Sequence, residues 1–230
     1  MEQQPQYGAA SEPGQSLKNL YRIAGASFML ASVLYVWAFV AELLLPVPSL
    51  SSAAGLLRFI ATYRSYFVLS YAFFTAANSL SIVGVFGIYA VTRVLSRSYA
   101  TLGAGTMTIG LVATLLSSTA PALITLSDGY SAASSVADQQ AFANAALAVS
   151  ATNNPIIASA FIGVGVILVS LALTRSFGKV LASLGLVVGT LNIVRALPFL
   201  AGYSFLTGLV FVGVSSAWIF GVGYRVYRET

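Results

Sequence analysis

The stretch from Gly178 to Arg225 restricts the chain more than any other. Arg175 and Lys179 precede an apolar run that ends at Arg195; after Ala196-Leu197-Pro198 a second apolar run is closed by Arg225 and Arg228. Crossing a bilayer as a helix takes roughly 17–25 apolar residues, and only helices or closed barrels satisfy their own backbone groups there. Two such runs joined by a proline turn, with positive charge at one end of the pair, describe a membrane hairpin. Repetition of the unit predicts an all-α integral membrane protein of six transmembrane helices, at about 23–45, 66–91, 102–126, 155–173, 177–197 and 202–224.

Composition supports this. Of 230 residues, 58% are apolar and 7% charged, with a mean hydropathy of +0.87. Chains that face water carry roughly 25% charge, so the expected neighbours are membrane lipids. The net charge of +5 does not indicate nucleic acid, because the basic residues stand singly or in pairs at the ends of apolar runs. Cysteine and histidine are both absent. Their absence removes disulfides, thiol nucleophiles, imidazole metal sites, ordinary haem ligation and histidine acid–base chemistry. No Walker A, dinucleotide fingerprint, metalloprotease helix or G-x-S-x-G occurs either. The expectation is a chain with no catalytic residue, cofactor or metal, and hence not an enzyme.

Residues 1–16 are polar, with two prolines and two glycines, and predict a disordered tail; the bundle would occupy 17–230. Between the first two segments, Leu56, Phe59, Ile60 and Tyr63 recur at helical spacing with Arg58 and Arg64 off the stripe. A short interfacial helix or an ordinary loop would fit. A kink is expected near Pro121 in the third segment. From Val136 a polar, then alanine-rich stretch predicts a helix on the outer surface. Asn153-Asn154-Pro155 reads as the cap of the fourth segment, with a single helix kinked at Pro155 as the alternative.

Six spans place both termini on one side. That side would collect Lys18, Arg22, Arg93, Arg97, Arg175, Lys179, Arg225 and Arg228, leaving Arg58, Arg64 and Arg195 opposite. The positive-inside bias makes the richer side cytoplasmic, in the cell membrane of a prokaryote. Lys18-Asn19-Leu20, Arg97-Ser98-Tyr99 and Arg175-Ser176-Phe177 each precede an outward-going helix at similar intervals, as three tandem helical hairpins would require.

Candidate sites are few. Glu42 and Arg195 lie near the outer ends of helices, where a buried charge pairs or snorkels. Asn78, Thr190 and Asn192 are the polar residues nearest mid-membrane; facing one another they could hold a small ligand or ion, and singly they would serve as interhelical hydrogen bonds. Gly185 and Gly189 form a GxxxG, and Ser159 and Gly163 a comparable pair; each offers a helix-packing face, inside the bundle or between subunits. Tyr21, Tyr66, Tyr99, Tyr203, Tyr224 and Tyr227 fall near predicted ends, while Trp37 and Trp218 lie deeper as packing residues.

Tyr21-Arg-Ile-Ala-Gly25 at the first span and Thr174-Arg-Ser-Phe-Gly-Lys-Val-Leu-Ala-Ser-Leu-Gly185 at the fifth resemble the DUF4386-like group of small multi-pass prokaryotic membrane proteins. That resemblance implies a similar layout and brings no catalytic residues. Two functions are therefore expected to compete. One is an accessory or structural subunit that binds other membrane subunits or itself. The other is a small transporter or channel for a neutral or weakly charged solute, lined by Glu42, Asn78, Thr190, Asn192 and Arg195.

Overall fold

A computed structural model describes residues 14–44, 52–152, 155–174, 177–196 and 205–228 of the chain. Among these residues the secondary structure is helical, in the order α1 (Gln15–Leu43), α2 (Ala53–Thr62), α3 (Arg64–Thr92), α4 (Arg97–Leu116), α5 (Ala120–Ala132), α6 (Val136–Thr152), α7 (Pro155–Leu173), α8 (Lys179–Arg195) and α9 (Phe205–Arg228). Among the described residues, four stretches are long and apolar enough to cross a membrane: α1, α3, the run containing α4 and α5, and α9. At 1.5 Å per residue, the 29 residues of α1 or α3 reach about 43 Å, beyond the hydrocarbon thickness. Helices α7 and α8, with 19 and 17 residues, are shorter.

Six helices close into a ring in the order α1, α3, α4, α7, α8, α9, back to α1. The ring is uneven. Helix α1 is packed closely between α3 and α9, and α7 closely between α4 and α8; the α3–α4 and α8–α9 seams are looser. Two triplets, α3–α1–α9 and α4–α7–α8, thus meet along two seams. Neighbours run antiparallel, as Ala24 beside Gly87, Gly103 beside Val169 and Leu181 beside Gly221 show. This brings Lys18, Arg22, Arg93, Arg97, Lys179, Arg225 and Arg228 to one end of the ring and Arg58, Arg64 and Arg195 to the other. The half nearer the first end holds the main apolar core, including Phe28, Val85, Ile88, Met107, Val169, Leu173, Trp218 and Val222.

At the other end α2, α5 and α6 pack on one another as a cap. Its own core is Leu57, Ile60, Leu123, Tyr130 and Ala146. Local sequence explains the three starts. The Ser52 hydroxyl caps α2 by accepting from the Gly55 N–H at 3.1 Å. Ser135 accepts from the Asp138 N–H at 3.0 Å and donates to the Asp138 carboxylate at 2.6 Å, a variant of the capping box. Pro121 stands in the first turn of α5, where its missing N–H costs nothing.

Several expectations need revising. The segment expected at 102–126 is broken at Ser117–Thr119, ahead of Pro121: α4 ends at Leu116, and residues 120–126 belong to the cap. Proline begins a helix more readily than it continues one. Helix α1 starts at Gln15, so only residues 1–13 of the expected tail lie outside the described residues. The Gly178–Arg225 hairpin is divided between the triplets, since α8 packs mainly on α7 and α9 mainly on α1. Its Leu197-Pro198 turn lies outside the described residues, as do Asn153 and Asn154. A helix does begin at Val136, as expected, and α6 packs on α2 and α5 while α7 packs on α4 and α8. Of the two readings left open there, a helix or a loop, the helix α2 forms, with Leu57 joining Ile60 in the buried row.

Candidate functional site

Glycine fixes the geometry inside each triplet. Lipid tails are as apolar as leucine, so membrane helices associate through close packing and interhelical hydrogen bonds rather than through expulsion of water. A Cβ placed on Gly163 of α7 would lie 2.7 Å from the Gly189 carbonyl oxygen of α8, and one on Gly189 would lie 2.7 Å from the Gly163 carbonyl. The two small-residue motifs read from the sequence therefore pack on each other inside the ring. On the other side of α7, a Cβ on Gly103 or Gly110 of α4 would come within 2.9 Å of Val169 or 2.6 Å of Ile162. Helix α1 is held in the same way: a Cβ on Gly25 would lie 2.6 Å from backbone atoms of Gly223 and Tyr227, while Gly84 and Gly87 of α3 receive Phe28 and Ala24. Ser159 is half-buried on the same helix as Gly163.

Polar side chains add to the first triplet. Tyr35 of α1 donates its hydroxyl to Asn78 Oδ1 of α3 at 3.0 Å, and Asn78 Nδ2 donates to the Phe74 carbonyl at 2.8 Å. Ser32 donates to the Ser216 carbonyl of α9 at 2.8 Å, and Ser70 to the Ala38 carbonyl at 3.3 Å. Asn78 is thus buried in the α1–α3 contact. Asn192 is buried elsewhere, against Gly163 in the α7–α8 contact, with its amide donating to the Val188 carbonyl at 3.0 Å. Thr190 is exposed. So is Arg195, whose guanidinium lies 5.0 Å from the centre of the Phe211 ring. Glu42 belongs to α1, but its side chain, and with it the expected Glu42–Arg195 pair, lies outside the described residues.

The cap carries the polar ties that the sequence reading did not identify. Arg64 forms a two-pronged salt bridge with Asp128 at 2.9 and 3.0 Å, joining the start of α3 to α5. Arg58 Nε donates to the Tyr130 hydroxyl at 3.2 Å, and Ser127 donates to the Leu57 carbonyl at 2.8 Å. An open hollow of about 520 Å³, lined by residues including Gly129, Asp138 and Phe142, lies between α5 and α6. Of the aromatic expectations, Trp218 is 1% exposed and packs in the core, but Trp37 is 56% exposed on the outer face. Tyr66, Tyr99, Tyr224 and Tyr227 are exposed and Tyr21 is buried.

Among the described residues, fold and contacts together define an all-helical protein with four stretches long and apolar enough for membrane insertion. Among the described residues, no group of three or more His, Cys, Asp or Glu is arranged to hold a metal ion. No protein-family model, curated protein or solved structure matches the chain.

Proposed function

We propose that the chain is a multi-pass protein of a prokaryotic plasma membrane, with six spans and both termini in the cytoplasm, acting as a non-catalytic accessory or structural subunit of a membrane assembly. The ring helices α1, α3, α4, α7, α8 and α9 are the six spans of this reading; α8 and α7 are short enough to need a locally thinner bilayer or flanking residues that reach outward. The ring end with seven described basic residues is cytoplasmic by the positive-inside bias, and the cap is outside. The layout accords with the resemblance to the DUF4386-like group, and two glycines of the resembling stretches, Gly25 and Gly185, stand at helix contacts.

The observation that carries the subunit reading is the use of the buried polar side chains. Asn78, Ser32 and Ser70 bind neighbouring helices, and Asn192 is turned onto its own helix against Gly163. A solute path would ask Asn78, Thr190, Asn192 and Arg195 to converge. The two asparagines sit in different helix contacts and the other two residues are exposed. Packing is the better use for this set.

Two experiments test the proposal. The chain has no cysteine, so single substitutions report topology directly. Ser134→Cys, exposed in the cap, should react with an impermeant maleimide on intact cells, and Ser98→Cys only after permeabilisation; the reverse pattern overturns the orientation. Extraction from native membranes in mild detergent should bring a stoichiometric membrane partner or a self-associated form. A clean monomer that still supports solute flux when reconstituted would replace the subunit with the transporter.

A further inference from the structure

The glycine contact between α1 and α9 sets two arginines of neighbouring helices at one level. A Cβ on Gly25 of α1 would lie 2.6 Å from both the Gly223 carbonyl oxygen and the Tyr227 nitrogen of α9. Gly25 therefore stands opposite the middle of that turn, at Arg225. Farther along the pair, Gly208 of α9 faces Phe39 of α1 at 3.5 Å, so the two helices run antiparallel. Arg22 and Arg228, each three residues nearer the end of the ring, are then level with one another. Arg22 is one turn from Gly25 and borders the side of α1 that meets α9. Arg228 folds back on Tyr224: its Nη1 donates to the Tyr224 hydroxyl at 3.3 Å, and the guanidinium lies 5.6 Å from the centre of the ring. Arg22, Tyr224 and Arg228 are all exposed, and Lys18 adds a half-buried cation one turn beyond Arg22.

These cations have no acid beside them among the described residues, whose carboxylate side chains, Asp128 and Asp138, belong to the cap at the far end. Glu12 and Glu229 lie closer in sequence and outside the described residues. Eight residues deeper along each helix, about 12 Å at 1.5 Å per residue, stand Leu30 of α1 and Phe220 of α9, both about half exposed. Positive charge and exposed apolar surface thus share one edge of the α1–α9 contact. We propose that this edge binds an acidic phospholipid. Its phosphodiester oxygens accept from the guanidinium groups of Arg22 and Arg228 and from the Tyr224 hydroxyl, whose own proton remains to donate. An acyl chain then runs along Leu30 and Phe220. A water-soluble phosphate would make no use of that apolar surface, and a zwitterionic lipid would bring an ammonium group against the cations. The inference rests on the membrane reading above, and on neither the orientation nor the subunit role.

The test titrates the full chain in mild detergent with phosphatidylglycerol and, separately, with phosphatidylcholine of the same acyl chains, and counts lipid-bound species by native mass spectrometry. Phosphatidylglycerol should be retained with a preference of roughly tenfold, the scale expected for two cations at an anionic surface. Arg22→Gln combined with Arg228→Gln should bring that preference to parity without changing the elution profile, since both side chains are exposed. Arg93→Gln combined with Arg97→Gln removes the same charge from the same end, at α3 and α4, and should keep the preference. Equal binding of the two lipids by the parent chain overturns the proposal, whether or not the variants fold. So does an equal loss in both double variants, because the preference would then follow net charge and not this edge. Displacement of the lipid by glycerophosphoglycerol, the headgroup without its chains, would mark a soluble-phosphate site and overturn it as well. A reversed labelling pattern at Ser98 and Ser134 would sink the orientation alone, and loss of the lipid preference would leave the topology standing.

Discussion

The ring and the cap of this protein are assembled by opposite means. In the ring, the tight contacts occur where a side chain is missing: Gly163 on Gly189, Gly25 on Gly223, Gly103 beside Val169. In the cap they are mainly between side chains, apart from Phe142 on Gly129: Leu57, Ile60 and Leu123 fill a small core, and Arg64–Asp128 and Arg58–Tyr130 tie its rim. The difference follows from solvent. Burial of leucine gains free energy only if the alternative is water, so a helix facing lipid gains little by it and associates through backbone approach and hydrogen bonds. In the proposed topology the cap faces water and uses the ordinary hydrophobic effect, at roughly 25 cal/mol per Å² of apolar surface.

That contrast is broken most severely by adding bulk to a ring glycine. Gly163→Leu should abolish the folded, monodisperse protein in detergent, because even a methyl group there meets the Gly189 carbonyl at 2.7 Å and Ile193 at 2.7 Å. Overpacking commonly costs about 1–3 kcal/mol for a few extra methylenes, and backbone cannot give way as a flexible side chain can. The matched control is Gly105→Leu on α4, which is exposed and has nothing within 4 Å of a built Cβ; its elution profile should be unchanged. If both behave alike, glycine packing does not hold the ring.

The second test applies to the cap. Leu57 is fully buried, so Leu57→Ala should destabilise the cap by about 2–5 kcal/mol, the range for buried leucine truncations. Limited proteolysis should then cut within α2 or α6 while α1 and α3 stay protected. Simultaneous loss of ring and cap would mean that they unfold as one unit.

How much of this was legible in the sequence divides along the same line. The segments at 155–173 and 66–91 match α7 and α3 closely, because long apolar runs bounded by Arg64 or by Pro155 admit few alternatives. Gly163, Gly185 and Gly189, which motif spacing marks as a packing face, stand at helix contacts, although spacing alone could not say that their partner was the neighbouring helix. Gly84, Gly103 and Gly223 are contacts that the sequence did not mark; a single glycine in an apolar run carries no sign of what will face it. The interruption expected near Pro121 falls at Ser117–Thr119, and Pro121 stands in the first turn of a separate helix, where proline is readily accepted. Arg64 and Asp128 are 64 positions apart, and only the packing of α5 beside α2 and α3 brings them together. Thr190 looked central by its position along α8, but position along a helix does not fix which face a residue occupies, and it lies outside.

A smaller effect is expected where the ring uses side chains as the cap does. Tyr35→Phe removes only the hydroxyl that reaches Asn78 Oδ1. Interhelical hydrogen bonds in membranes average about 0.6 kcal/mol and seldom exceed about 1.7, so thermal unfolding in detergent should shift slightly, far less than for Leu57→Ala. Asn78→Ala should cost somewhat more, since it also leaves the Tyr35 hydroxyl without its acceptor. A Tyr35→Phe effect as large as the Leu57→Ala effect would mean that the polar contacts, and not the glycines, position α1.

The mildest perturbation is Asp128→Asn. Both partners of the Arg64 salt bridge are about half exposed, with side-chain exposures of 53% and 50%, and water screens such a pair strongly. The bridge should therefore set the alignment of α5 on α3 more than the stability of the fold. Unfolding of the parent should be nearly insensitive to Asp128→Asn at high salt, with a small difference emerging at low ionic strength. Under the same conditions, Ser134→Cys labelling should become faster in the variant, because the α5–α6 turn is freed from α3. A large salt-independent loss would show that the cap depends on this ion pair rather than on Leu57, Ile60 and Leu123. The solvent argument separating cap from ring would then fail at the cap.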